Sequence, residues 1–115
     1  MNDNGEFIGG SIFPGLEMMR RNLQQGTAGI QGTAGSDQSC QAISTADAVA
    51  AGTLFGLVGA ISRVVTEHHR VLGKHCVNIL TGGGADMVAS HLDFPVQAIP
   101  DLVLRGVRRI LEARS

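Results

Sequence analysis

An apolar run that stops at three glycines and resumes as a helical pattern constrains this chain more than any other stretch. Cys76 to Leu80 reads as a strand, Gly82-Gly83-Gly84 as a tight turn, and Ala85, Met87, Val88, Ala89 and Leu92 as a helix start. A second short strand, Val96 to Ile99 behind Pro95, leads into a last helix. That helix opens at Pro100-Asp101 and has Val103, Val107, Ile110 and Leu111 as its inner face. Strand, helix, strand, helix in this order predicts a parallel pair joined by a right-handed crossover, hence an α/β fold. Ligands of such sheets collect at the carboxyl ends of strands. The glycines permit φ > 0 and close approach of a ligand to the backbone, and the helix start offers free N–H groups to an anion. The stretch is either a nucleotide or phosphate site or a βα turn that binds nothing, and alone it allows both.

The 115 residues suffice for one modest domain and not for two. A hydrophobic content of 43% against a charged fraction of 17% gives a chain able to form a core, so disorder is excluded as its general state. A formal net charge of −1 gives no support to nucleic-acid or anionic-membrane binding. Arg105, Arg108, Arg109 and Arg114 do gather near the C-terminus, and a solvated helix face accounts for them. The start, Met1 to Glu6, has neither the basic residues nor the apolar run of a signal peptide. Cys40 and Cys76 make no disulfide framework, and Cys76 in its apolar strand packs as a small reduced hydrophobe. A soluble, cytoplasmic protein is expected.

Ahead of the glycine turn, Glu6 to Phe13 alternates Phe7, Ile8, Ile12 and Phe13 around Gly9-Gly10, which predicts a strand with a bulge, broken at Pro14-Gly15. Leu16, Met19 and Leu23 then fall at i, i+3 and i+7, an amphipathic helix that Gly26 stops. Thr27 to Ile43, rich in Gly, Thr, Ser and Gln and containing Gly-Thr-Ala-Gly at 26–29 and 32–35, reads as a long surface loop. Ser44-Thr45 opens the longest helix, with Asp47 three residues after Ser44 in a capping-box pattern. From Ala48 to Val65 this helix is apolar almost all round, so burial on most sides is expected. Thr53, Ser62 and Arg63 interrupt it too much for a bilayer span. Gly52, Gly56 and Gly59 on it, and Gly106 in the last helix, predict close backbone neighbours, a second subunit being one such neighbour for the long helix.

The histidines suggest no metal centre. His68 and His69 are adjacent and diverge by about 100° on a helix, while His75 and His91 stand alone, so no set has zinc-like spacing.

Four motifs together carry a resemblance. Gly9-Gly10-Ser11-Ile12-Phe13-Pro14-Gly15 before Leu16, Thr45-x-x-Ala48-x-x-x-Gly52 opening the long helix, Leu80-Thr81-Gly82-Gly83, and Pro100-Asp101-Leu102-Val103-Leu104-Arg105-Gly106 occur in the order found in type III pantothenate kinases, also named Bvg accessory factor proteins. The similarity runs from about residue 5 to 114. It implies the actin-like fold of the acetate and sugar kinase superfamily, of which residues 1–115 resemble the C-terminal, partial ribonuclease-H-like domain with its long buried helix. It implies transfer of the ATP γ-phosphoryl group to pantothenate, the first step of coenzyme A biosynthesis, in a homodimer that uses Mg²⁺ with ATP and a monovalent cation, K⁺ or NH₄⁺.

By the same resemblance Thr45 reaches pantothenate, although a plain N-cap is its simpler role. Thr81, Gly82 and Gly83 match the turn facing the nucleotide side of the cleft. The family continues that turn with Asp-Ala where this chain has Gly84-Ala85-Asp86, and Gly9, Gly10, Pro14 and Gly15 shape the cleft wall. The family's Asp-x-Gly-Asn-Thr, Gly-x-Asp-Arg and Asp-x-Gly-Thr motifs, which carry the catalytic base and the phosphate and cation ligands, have no counterpart in residues 1–115, so no catalytic residue and no metal ligand is assigned. Phosphoryl transfer depends on those groups. The expectation is thus the C-terminal half of a pantothenate kinase, inactive without an N-terminal half. The alternative is a non-catalytic, self-associating binding or regulatory module derived from it. An open sheet edge and apolar surface are expected with either, and hence a homo-oligomer packed through the helix of residues 46–65.

Overall fold

The structure is a computed structural model that describes residues 1–26 and 39–114. Its elements in chain order are α1 (Leu16–Gly26), α2 (Thr45–Leu72), β1 (Ile79–Leu80), α3 (Ala85–Ala89), β2 (Gln97–Ala98) and α4 (Leu102–Arg114). The fold is α/β, mostly helical, with one small parallel sheet. It divides into two units, Met1–Leu72 and Gly73–Ser115.

In the first unit α2 begins as its sequence dictates. Ser44 Oγ accepts the Asp47 N–H at 3.1 Å, which makes Ser44 the N-cap and places Thr45 as the first helical residue. Asp47 adds a negative charge to the first turn, where the helix dipole favours it. The helix stops before Gly73, whose φ of +91° suits glycine and where a Cβ would lie 2.9 Å from the His75 ring. The amphipathic α1 packs against α2, with Leu16 and Met19 half-buried.

Among the described residues of this unit the buried ones are Ala50, Ala51, Thr53, Leu54 and Leu57, all in the first half of α2. Ala50, Leu54 and Leu57 recur at helical spacing and form the inner stripe. Thr53 is buried among them without penalty, because its hydroxyl lies 2.8 Å from the Val49 carbonyl and 3.1 Å from that of Ala50. Burial on most sides is therefore not what α2 has: Val58, Ile61, Val64 and Val65 are half-buried and Phe55 is exposed. Nor do Gly52, Gly56 and Gly59 meet a close backbone within the chain, since a Cβ on any of them finds no described atom of it within 4 Å. Contrary to the expectation that Thr53, Ser62 and Arg63 interrupt it too much for a bilayer span, α2 is by length and composition apolar enough to cross a membrane, because one charge in its long apolar stretch leaves the mean hydropathy high. Toward its polar end Glu67 holds both Arg63 (2.9 Å) and Arg70 (3.0 Å) in exposed ion pairs.

The predicted strand of residues 6–13 does not form. Asn2 to Glu6 folds into a turn, in which Asn2 Oδ1 accepts the N–H groups of Asn4 (3.1 Å) and Glu6 (2.9 Å). Phe7 and Ile12 stand in solvent beyond it. An alternating sequence becomes a strand only beside another strand, and the first unit has none among its described residues. The predicted loop of residues 27–43, with both Gly-Thr-Ala-Gly copies, falls largely outside the described residues. Of its described end, Ile43 is fully exposed.

In the second unit β1 and β2 pair in parallel, as the element order predicts, with Ile79 opposite Gln97 and Leu80 opposite Ala98. Both strands are shorter than their apolar runs. Backbone bonds from Gln97 N to Asn78 O (2.8 Å) and from Ile99 N to Leu80 O (2.9 Å) flank the ladder. A side chain fastens each end: Asn78 Nδ2 donates to Pro95 O at 3.3 Å and Thr81 Oγ1 to Ile99 O at 2.7 Å. Among the described residues each strand keeps one edge unpaired. Val88 on α3 is the buried hydrophobe of this unit, and α3 packs on β2. The expected inner face of α4 is open to solvent, Val103 at 73% exposure and Ile110 at 58%, with Val107 and Leu111 also exposed. Two strands of two residues offer too little surface to cover an amphipathic helix. Gly106 likewise has no described atom near it.

Candidate functional site

The carboxyl ends of the two parallel strands lead into neighbouring turns, and those turns make the candidate site. After β1 come Thr81, Gly82 and Gly83; after β2 come Ile99, Pro100 and Asp101. An open cleft of about 390 Å³ lies between them, with Thr81 to Gly83 on one side and Pro100 to Leu104 on the other. Topology alone brings these distant stretches together, because parallel strands put both carboxyl ends at the same edge of a sheet.

The first side is fixed by one hydroxyl and one backbone conformation. Donation from Thr81 Oγ1 to the Ile99 carbonyl at 2.7 Å ties the two turns directly and leaves the hydroxyl's lone pairs as acceptors. Gly82 has φ of +108°, a region that side chains disfavour, and its carbonyl accepts the Ala85 N–H at 3.3 Å. Among the described residues nothing accepts the N–H groups of Gly83 and Gly84. The helix start expected to serve an anion is weak, since α3 is five residues long with no side-chain cap and carries Asp86 in its first turn. The Asp86 side chain is not part of the cleft lining.

The second side holds a residue with less obvious credentials. Asp101 has φ of +54°, and among the described residues it is the one non-glycine with positive φ. Its carbonyl accepts the Arg105 N–H at 2.9 Å and so starts α4. Its carboxylate makes no hydrogen bond or ion pair with a described residue, and it is the charged side chain of the lining. Pro-Asp after a strand is a weak signal by itself. What marks Asp101 is that the parallel pair ends β2 beside β1, so that it lines the same cleft as the Thr81-Gly82-Gly83 turn.

The C-terminal arginines lie apart from this cleft, along exposed α4, where Arg108 Nε pairs with Glu112 Oε1 at 3.3 Å. Among the described residues no group of three or more His, Cys, Asp or Glu side chains comes together.

The profile of the type III pantothenate kinase family matches residues 1–67, more than half of the chain. The chain belongs to the type III pantothenate kinase family. Curated type III pantothenate kinases carry the similarity to the rest of the sequence, the cleft included. That of Thiobacillus denitrificans is 37% identical over 98% of this chain, that of Psychrobacter cryohalolentis 37% over 96%, and that of Nitrosococcus oceani 36% over 97%. In the same order the matches cover 46%, 44% and 42% of those relatives, so the chain spans less than half of their length.

Against this family the structure places the residues as follows. Thr81, Gly82 and Gly83 come together at one cleft in the second unit. Thr45 belongs to the first unit, exposed in the first turn of α2. Because Ser44 supplies the cap, the Thr45 hydroxyl is not needed to start the helix. Gly9, Gly10, Pro14 and Gly15 lie in irregular, exposed chain before α1.

Proposed function

We propose that this chain provides the pantothenate-contacting and nucleotide-facing C-terminal part of a pantothenate kinase, which transfers the ATP γ-phosphoryl group to pantothenate in the cytoplasm. The observation that carries this reading is the family match, joined to a cleft at the carboxyl ends of a parallel pair that is lined by Thr81-Gly82-Gly83, a turn that resembles the family's. Thr45 is the pantothenate contact of the reading: exposed, one residue past the cap, with a hydroxyl that the helix does not use. The cleft takes the nucleotide. Its mostly apolar lining and backbone N–H groups suit a base and sugar, and it holds no cation to receive phosphates.

The residues present do not fit the metal ions of the reaction. Mg²⁺ and K⁺ need several oxygen donors, and the side chains of the cleft offer two, one carboxylate and the hydroxyl oxygen of Thr81. Among the described residues no group is assigned as a catalytic base, so no phosphoryl-transfer step is assigned to residues 1–115, and the chain alone is expected to be inactive. A coupled assay for ADP release with pantothenate, ATP, Mg²⁺ and K⁺ tests this. The expected result is no turnover, with pantothenate binding that Thr45→Ala weakens. Turnover by residues 1–115 alone overturns the division of labour.

One observation favours a second reading, a self-associating module without catalysis. The apolar face of α4, with Val103, Val107, Ile110 and Leu111 exposed, is the kind of surface that a partner covers. A homodimer in light scattering together with no pantothenate binding selects it.

A further inference from the structure

We propose that Asp101 sets the specificity of the cleft, accepting a hydrogen bond from an uncharged donor on the nucleoside part of the nucleotide and keeping the phosphates out. The inference rests on the nucleotide reading of the cleft and goes beyond it by naming the residue and the part of the ligand it reads.

Three observations converge on this aspartate. It sits at the carboxyl end of β2, across the cleft from Thr81, Gly82 and Gly83. Its φ of +54° lies in the left-handed region, which aspartate tolerates and which, among the described residues, no other non-glycine adopts. An aspartate at a helix start ordinarily spends its carboxylate on the N–H groups of the first turn. Here the backbone carbonyl starts the helix through Arg105 N–H, and no described residue uses the carboxylate.

Charge decides which ligand group it can meet. The lining has one charged side chain, this carboxylate, and no lysine or arginine. A phosphate entering would meet like charge, whereas a ribose diol or a base amine offers donors that an ionised carboxylate accepts strongly. Leu102, Val103 and Leu104 beside it give the apolar surface that a base or sugar face requires.

The test is an NMR titration of the ¹⁵N-labelled chain with adenosine, 2′,3′-dideoxyadenosine, purine riboside and tripolyphosphate, repeated on Asp101→Asn and Asp101→Gly. Asparagine keeps the size and the tolerance of positive φ, and glycine removes the side chain while easing the backbone, so both variants keep the fold. Adenosine is expected to shift the Gly82, Gly83 and Leu102 amides, tripolyphosphate is not, and both variants are expected to weaken adenosine about tenfold. Loss of the response with dideoxyadenosine assigns the diol as donor, and loss with purine riboside assigns the amine. Adenosine binding equally well to both variants, to both analogues, or less well than tripolyphosphate overturns the role of Asp101 and leaves the nucleotide cleft standing. No shift in the cleft with any ligand overturns the nucleotide reading, and the role of Asp101 with it.

Discussion

Ser44 and Thr45 are adjacent hydroxyl residues at one helix start, and the structure gives them opposite jobs. Removing the Ser44 hydroxyl leaves the Asp47 N–H without its 3.1 Å acceptor. Loss of an N-cap costs about 0.5–2 kcal/mol, and the exposure of Ser44, which lets water replace the hydroxyl, puts this case near 0.7 kcal/mol. Over a small domain that lowers the melting temperature by about 3–5 °C. Thr45→Ala removes a hydroxyl that the helix does not use and adds a better helix former, so its melting temperature stays within about 1–2 °C of wild type or rises. Thermal unfolding followed by circular dichroism at 222 nm measures both, with Ser44→Asp as a control that restores a capping oxygen. If Thr45→Ala destabilises as much as Ser44→Ala, the cap assignment is wrong, and with it the case that Thr45 is free for a substrate.

Four further outcomes are expected. Thr45→Ala weakens pantothenate binding roughly three- to tenfold in calorimetry while Ser44→Ala leaves it unchanged, the reverse of their order in stability. Leu54→Ala, in the inner stripe of α2 at 5% exposure, costs about 2–4 kcal/mol in urea unfolding; a loss below about 1 kcal/mol would mean that the stripe is not packed. Gly82→Ala costs more than about 1 kcal/mol because φ is +108°, whereas Gly83→Ala, with open space around it and no positive φ, changes melting little; equal effects would refute the turn geometry. Glu67→Gln releases Arg63 and Arg70, yet these exposed pairs are screened, so the melting temperature moves by less than about 2 °C, and a larger fall that persists in 1 M salt would contradict the exposed geometry.

The sequence was most informative where local chemistry is self-sufficient. Leu16, Met19 and Leu23 define the periodic face of α1, Ser44-x-x-Asp47 defines the start of α2, and Gly73 its end, because caps and glycine stops act over a few residues. The order of elements after residue 76 was enough to predict a parallel pair, and Thr81-Gly82-Gly83 was legible as the turn that follows its first strand. Family membership followed from four motifs that no single glycine turn could have carried.

Tertiary structure decided what depends on partners distant in sequence. Residues 6–13 alternate like a strand and remain irregular, since a ladder needs a neighbour that the sequence pattern cannot supply. The apolar faces of α2 and α4 were expected inside, and periodicity states which side of a helix is apolar without stating what covers it, so most of both faces is left partly or fully exposed. Asp101 became a site residue only when β1 and β2 were seen to end side by side, placing it opposite a turn that lies almost 20 residues earlier in the chain. Local sequence sets where helices and turns begin and end, because those free energies are decided within a turn or two of backbone. Which turns meet, and which faces are covered, is set by pairing and burial between segments that the order of residues does not bring together.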